Sequence, residues 1–237
     1  MDLKELIYKR KSCRSYTSQP VEKALLEKLK SFPLAPLYPE IKVHWEFTPK
    51  EQVRSLCPWT TPQVISIYSE KKEGYLENVG FIFQQMDLYL QSLGLGACWL
   101  GLGKPRMQYL RQIDGMEFVI MLAFGYPEGD FLRQDLAEFK RKSLKEIADK
   151  EAPQLEPARL APSSINSQPW YFTHEGDLFH LYCVRKGVLK PVLRQMNQID
   201  IGIVLAHLYV ENPDTFRFFK GQAAEVDGYE YMGSFSL

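Results

Sequence analysis

A short basic turn near the N-terminus carries the first residues that could do chemistry. It runs Arg10-Lys11-Ser12-Cys13-Arg14-Ser15-Tyr16. Arg10 and Arg14 offer forked, permanently charged donors and Ser12 adds a hydroxyl, which together suit a phosphate dianion. Basic residues at a helix end also complement the helix dipole, so for an isolated turn a purely structural role is an open alternative.

A second polar segment runs Leu160-Ala161-Pro162-Ser163-Ser164-Ile165-Asn166-Ser167-Gln168-Pro169-Trp170. Its hydroxyls and carboxamides form a row of neutral donors and acceptors, stiffened by prolines at both ends. Such a row suits a polyhydroxyl chain and the edge of a ring. The alternative is a capped turn between a helix and a strand, because Ser, Asn and Pro are common turn residues.

Four glycines between residues 94 and 103 form a third candidate segment. Glycines let the backbone approach a flat ligand closely and expose its N–H groups. The spacing excludes the familiar nucleotide loops. A Walker sequence would need Gly at Cys98 and Ser or Thr at Pro105, and a dinucleotide fingerprint would need Gly at Trp99.

A basic cluster, Lys140-Arg141-Lys142, follows Phe139. It is either a second phosphate clamp or part of a solvated linker. The sequence alone leaves both interpretations open.

The apolar pattern predicts an α+β fold with a mixed sheet that positions these segments. Helices are expected over residues 2–10 and 20–29, strands over 43–47 and 64–68, and a long central helix over 75–93. Strands over 97–100 and 118–124 follow. The polar stretch 128–145 is expected to connect two halves.

The pattern then begins again. A helix near 154–160, strands near 170–173 and 178–184, and a long helix over 193–210 follow in the same order. Leu34-Ala35-Pro36 corresponds to Leu160-Ala161-Pro162, and Asn78-Val79-Gly80 corresponds to Asp200-Ile201-Gly202. We therefore predict an internal duplication with two intimately packed halves, residues 1–142 and 143–237, with a chance match of short words as the alternative.

The overall composition excludes several classes of protein. Twenty-nine basic and twenty-nine acidic residues balance, so no general attraction for nucleic acid or a membrane surface is expected. The four cysteines are far apart and are expected to be reduced thiols, and no metal site is predicted. Without a signal-peptide core or an apolar membrane span, the expected location is the cytoplasm.

Together, these segments resemble the FMN-dependent nitroreductase family. The specific matches are APSSINSQPW at residues 161–170 and LGLGACWLG at 93–101, joined by the RxSxR turn at 10–14 and GYP at 125–127. The resemblance covers most of the chain. It implies FMN as cofactor, NADH or NADPH as reductant, and a small-molecule acceptor such as a nitroaromatic or a quinone.

The resemblance also implies roles by motif position. Arg10 and Arg14, with Arg141 or Lys142, would hold the phosphate. Ser12, Ser164 and Asn166 would hold the ribityl chain or the ring, and the backbone of Leu100 and Gly101 would lie beside the reactive ring nitrogen. Pro162, Ser163 and Gln168 match the remaining motif positions. No catalytic side chain is expected, because the flavin carries the chemistry.

The order of the motifs departs from the family. In the family, FMN lies at a homodimer interface and PSxxNxQP follows RxSxR closely, whereas here Pro36-Leu37-Tyr38-Pro39 stands at that point. A fused dimer explains the difference if each half keeps part of the motif set and one of two ancestral sites survives. We therefore expect one FMN per chain, in a monomer that mimics the family dimer, with further self-association left open.

Two other functions are alternatives to a reductase. One is an FMN-binding protein without significant turnover, in a sensor or storage role. The other is a relic of the fold that binds no flavin.

Overall fold

The computed structural model describes residues 2–59, 61–109, 113–185 and 191–237. The first part of the chain contains helices α1 (Leu3–Ile7) and α2 (Lys23–Ser31), strands β1 (Val43–Pro49), β2 (Val53–Ser55) and β3 (Gln63–Ser69), the long helix α3 (Tyr75–Ser92), and strands β4 (Gly96–Leu100), β5 (Gly103–Pro105) and β6 (Glu117–Gly125). Gly94 takes a φ of +80° directly after α3, which ends that helix.

The remainder of the chain contains helices α4 (Leu144–Ile147) and α5 (Glu156–Leu160), strands β7 (Trp170–Glu175) and β8 (Leu178–Val184), the long helix α6 (Pro191–Glu211), and strands β9 (Arg217–Phe219) and β10 (Tyr229–Ser236). The fold is therefore α+β, as predicted. The predicted strands and both long helices are present, with bounds that differ by a few residues.

Two four-stranded antiparallel sheets share one topology. The first has the order β1-β3-β6-β4 and the second the order β7-β8-β10-β9. In each sheet the two strands that come before the long helix pair with each other, β1 with β3 and β7 with β8. The strand directly after the helix lies at one edge of the sheet and pairs with the last strand, β4 with β6 and β9 with β10. A small two-stranded ribbon, β2 with β5, lies outside both sheets.

Helix α3 is buried on nearly every side because it lies inside the core. Val79, Phe83, Met86 and Leu90 are completely buried. Together with residues of α6 and of both sheets they form one continuous hydrophobic cluster.

Helices α3 and α6 approach each other closely at a pair of glycines. A Cβ built on Gly80 would lie 2.1 Å from the Ile199 carbonyl oxygen, and one on Gly202 would lie 1.9 Å from the Glu77 carbonyl oxygen. The contact is reciprocal. Gly80 lies three residues after Glu77, which Gly202 contacts, and Gly202 lies three residues after Ile199, which Gly80 contacts. No residue with a side chain fits at either position without displacing a backbone.

The segment 128–145 is packed against the N-terminal turn. Leu132 forms a bridge with Arg10, the Arg133 N–H donates to the Lys9 carbonyl at 2.7 Å, and Phe139 is buried. Arg141 and Lys142 are half-buried and form hydrogen bonds to residues 161 and 168, so the interpretation as a solvated linker is wrong for these two, whereas Lys140 is exposed. The predicted helix over 2–10 also ends early, at Ile7, because Arg10 enters the protein interior.

Two further features concern the chain as a whole. All four cysteines are free thiols, as expected. None of the helices in the described ranges combines the length and apolar character needed to cross a membrane.

Substitution of Gly80 by Ala tests the close contact of the two helices. Helix propensity alone would stabilise the protein by about 1 kcal/mol, whereas overpacking against the Ile199 carbonyl should destabilise it by about 3 kcal/mol or more. Denaturant unfolding measures the difference. Gly221→Ala is the control, because its Cβ would meet no atom closer than 3.5 Å; equal stability of the two variants would contradict the close approach.

Candidate functional site

The N-terminal turn is fixed along the edge of the first sheet. Ser12 bridges to Ala97 of β4, and the Cys13 N–H donates to the Ala97 carbonyl at 2.9 Å. The Thr17 N–H donates to the Tyr126 carbonyl at 2.9 Å. These bonds hold Arg14 at the surface beside the end of β4, where it is exposed.

Arg10 points in the opposite direction, into the core. Its side chain is 1% exposed, and its Nε lies 3.0 Å from Oδ2 of Asp87 on α3. Its second guanidinium nitrogen donates to the Ser12 hydroxyl at 3.3 Å. Arg10 therefore braces Ser12 from behind.

A buried polar network extends from Asp87 to both halves of the chain. Gln84 donates from Nε2 to Asp87 Oδ2 at 3.0 Å and lies 3.2 Å from His207 Nε2 on α6. Its Oε1 accepts from the Trp99 indole at 3.1 Å. Since His207 Nδ1 lies 3.0 Å from the Pro157 carbonyl, the consistent tautomer has the proton on Nδ1.

Residues 163–168 form a tight, strained loop. Ile165, Asn166 and Gln168 have φ between +47° and +58°, and for a β-branched residue such as Ile165 this conformation is a clear outlier. The Gln168 N–H donates to the Ser163 hydroxyl at 2.9 Å, closing the loop. The loop is held in this shape by its surroundings.

The basic segment 140–142 provides much of that support. Arg141 donates from Nε to the Ala161 carbonyl at 3.0 Å and from a terminal nitrogen to Asn166 Oδ1. The Lys142 N–H donates to Gln168 Oε1 at 2.7 Å. Asn166 and Gln168 thus anchor the loop to this segment.

Three arginines converge near this anchor. The Arg133 guanidinium lies 4.0 Å from the centre of the Phe139 ring and donates to the Arg10 carbonyl. Burial, and then repulsion from Arg10, lowers the pKa of both Arg133 and Arg141 to about 10. Both therefore remain charged at neutral pH and create a local positive field, although the whole chain carries no net charge.

A cleft of about 300 Å³ lies where segments from both parts of the chain meet, a volume at the lower end of the range for ligand sites. Its polar lining includes Ser12 and Arg14 from the N-terminal turn, Ser163 and Ser164 from the loop, and Asp200 from α6. Its apolar walls include Trp59, Trp99, Met196, Ile199 and Ile203.

Six of the twelve predicted site residues line this cleft. They are Ser12, Arg14, Gly101, Pro162, Ser163 and Ser164. The other six do not line it. They are Arg10, Leu100, Arg141, Lys142, Asn166 and Gln168. Leu100 packs with Val64 and Met121 in a separate small cluster.

The equivalent place in the first part of the chain differs. Tyr38 corresponds to Ser164, and its N–H donates to Asn78 Oδ1 at 2.9 Å, as the Ser164 N–H donates to Asp200. The Tyr38 ring packs over Gly74 and meets Phe218 edge-on at 6.0 Å. An aromatic ring thus fills the space beside residue 38. A hollow of about 320 Å³ remains nearby, and its lining includes Lys72, Glu73, Glu77, Lys220 and Glu230.

Sequence reasoning did not identify Asp200 or Arg133 as site residues. Asp200 is a lone carboxylate within the apolar run Ile199-Asp200-Ile201-Gly202-Ile203, and that isolation was the available signal. It is 3% exposed, and burial raises its pKa to about 8. Arg133 lay in a stretch that looked like a polar connection, with no signal to separate it from its neighbours.

Comparisons with known proteins agree with this architecture. A family model described as "Putative TM nitroreductase" matches residues 2–212. A crystal structure from Thermotoga maritima, described as a "putative nitroreductase", has a TM-score of 0.68 and 20% identity, and the match covers 99% of this chain and 92% of that one. A nitroreductase family protein from Clostridium difficile 630 has a TM-score of 0.51 and 22% identity, over 64% of this chain and 99% of its own.

An FMN-dependent nitroreductase from Clostridium difficile R20291 has a TM-score of 0.43 and 15% identity, over 56% of this chain and 94% of its own. A search of curated proteins found no match. At these identities the crystal structures from Thermotoga maritima and Clostridium difficile 630 establish a shared fold.

His207 should make the protein sensitive to acid. Burial, and then the charge of Arg10, lowers its pKa to about 3 in the folded protein, from 6.5 in the unfolded chain. The stabilisation is present above pH 6.5 and is lost as the pH falls toward 3, with a total on the order of 4 kcal/mol. His207→Gln should flatten the decline of unfolding free energy between pH 7 and pH 4. Parallel pH profiles for the two proteins would contradict this.

Proposed function

This chain belongs to the nitroreductase family whose model it matches over residues 2–212, and on that premise we propose that it is an FMN-dependent oxidoreductase. It takes hydride from NADH or NADPH and reduces a small-molecule acceptor such as a nitroaromatic or a quinone. The observation that carries the proposal is the cleft, where the two motifs separated in sequence contribute Ser12 and Arg14 on one side and Ser163 and Ser164 on the other.

The chemistry of the cleft fits FMN. Arg14 supplies an exposed cation for the phosphate, with the field of Arg10, Arg133 and Arg141 behind it. The apolar walls suit a flat ring. Gly101 lines the cleft, is exposed and has no side chain, so its backbone can contact a ligand there. When bound, FMN would supply hydride and electron transfer, and the protein would supply orientation and electrostatics.

The predicted site residues that do not line the cleft have a supporting role in this proposal. Arg10 holds the Ser12 hydroxyl in place, and Arg141 and Lys142 hold the loop through Asn166 and Gln168. Asn166 and Gln168 support the loop and do not contact the ligand in this proposal, because their side-chain amides already donate hydrogen bonds to backbone carbonyls.

We also propose that the chain is a fused pair of halves, 1–142 and 143–237, that acts as a monomer in place of the family's dimer. The shared strand order, the reciprocal contact of Gly80 and Gly202, and the equivalent bonds at Asn78 and Asp200 support this. The Tyr38 ring fills the position equivalent to Ser164 in the first half, and the hollow nearby contains neither matched motif, so we expect one FMN site per chain.

The first experiment is the flavin-to-protein ratio after incubation with FMN and desalting, followed by anaerobic addition of NADH or NADPH. About one FMN per chain is expected, because one cleft combines residues of both matched motifs, with rapid bleaching by one of the reductants. Two FMN per chain would contradict the closed second position. Bound flavin that is not bleached would indicate a storage or sensor protein, and no bound flavin would indicate a relic of the fold.

Arg14→Ala should weaken FMN binding about 10- to 100-fold, the usual effect of losing a hydrogen bond to a charged group. Titration monitored by flavin fluorescence measures this. Lys11→Ala is the matched control, because it removes the same charge from an exposed neighbour outside the cleft lining. Equal affinity of the two variants would remove Arg14 from the phosphate site. Arg10→Ala is a poorer test, because leaving Asp87 buried without its partner should destabilise the fold by about 3–5 kcal/mol.

A further inference from the structure

Asp200 is a carboxyl group buried at the cleft. It lies on α6, lines the same cleft as Ser12, Arg14 and Gly101, and is 3% exposed. Among the described residues its only hydrogen-bond donor is the Ser164 N–H, at 3.0 and 3.1 Å from the two carboxylate oxygens. A buried carboxylate that accepts from a single N–H group regains little of the hydration energy that its charge loses on burial. Asp200 therefore favours its neutral, protonated form.

The groups around Asp200 do not reverse this preference. Arg14 and Cys98 face the cleft from the N-terminal turn and β4, and Cys183 lies nearby on β8. Burial raises the pKa of both thiols, which therefore stay uncharged. Arg194, six residues earlier on α6, is exposed and pairs with Glu230 at 3.7 Å. Burial raises the pKa of Asp200 to about 8, so it carries a proton at neutral pH.

Loop support does not require a carboxyl group at this position. Asn78 occupies the equivalent place on α3, and its Oδ1 alone accepts from the Leu37 and Tyr38 N–H groups, both at 2.9 Å. An amide is thus sufficient to hold such a loop. The loop that lines the open cleft donates to the acid, whereas the equivalent loop in the first part of the chain donates to the amide.

We propose that protonated Asp200 is the proton donor to an electron acceptor bound in the cleft. This inference rests on the proposed function. Reduced FMN, when bound, would supply two electrons and one proton as hydride to a quinone and would itself be oxidised. The quinone gains its second proton from Asp200, as the carboxyl O–H bond breaks and a new O–H bond forms on the quinone oxygen. The Asp200 carboxylate then regains its proton from water.

Asp200→Asn separates this role from loop support, because the amide can still accept from the Ser164 N–H. In stopped-flow measurements, reduction of the bound FMN by NADH or NADPH should stay within about twofold of wild type. Reoxidation by menadione, a quinone, should slow by about 10²-fold, the usual range for loss of a general acid. Reoxidation by ferricyanide, which takes electrons without a proton, should not change.

The controls identify which idea fails. Asp214→Asn, an exposed carboxyl just after the same helix, should match wild type in all three reactions. Menadione reoxidation of Asp200→Asn at the wild-type rate overturns the proton-donor role, as does equal slowing with ferricyanide, which would indicate a displaced flavin. If wild-type protein binds no FMN, or binds it without reduction, the proposed function itself fails.

A second readout needs no flavin. Because the folded pKa is near 8 and the unfolded one near 3.8, the contribution of Asp200 to stability should fall as pH rises from 4 to 8, opposite in sign to the contribution of His207. Asp200→Asn lacks this titration, so the Tm of the variant relative to wild type should rise across that window. A constant Tm difference would show that Asp200 is already ionised and would overturn the proposal.

Discussion

The close contact of α3 and α6 is the constraint on which the rest of the structure depends. Backbone meets backbone at Gly80 and Gly202, so the two helices fix the relation between the two sheets without any intervening side chain. Gln84 and His207 then join the helices through hydrogen bonds, and Gln84 also holds the Trp99 indole at the cleft wall. The shape of the cleft is therefore set by helix packing that lies well inside the core. A loop-based site would be less firmly positioned.

The two parts of the chain share a topology and differ in how equivalent positions are used. Residue 38 is a tyrosine whose ring fills space, whereas residue 164 is a serine at an open cleft. Residue 78 is an amide, and residue 200 is an acid. In both places the backbone N–H of the loop donates to the helix side chain, so the supporting bond is kept while the chemistry around it changes.

The sequence predicts much of the fold because long apolar periodicity marks α3 and α6 and continuous apolar runs mark the central strands. Strands β2, β5 and β9 have three residues each, too short to show a period of two. The resemblance of the motifs to those of the nitroreductase family predicted an FMN site, and Ser12, Arg14 and Ser164 of these motifs do line one cleft. The turn itself could not indicate that Arg10 faces inward, since its partner Asp87 is distant in sequence. The protonation of Asp200 depends on packing that excludes water from it, which no local pattern encodes.

Joining both sides of the cleft in one polypeptide changes how the site responds to dilution and to mutation. When separate protomers build a site, its population depends on protomer concentration, whereas here the segment 128–145 keeps both sides together at any concentration. The covalent connection also removes the symmetry that identical subunits impose. A codon change at residue 200 leaves the equivalent position, residue 78, unchanged, whereas in a homodimer the two equivalent positions would change together. The two positions can therefore specialise independently.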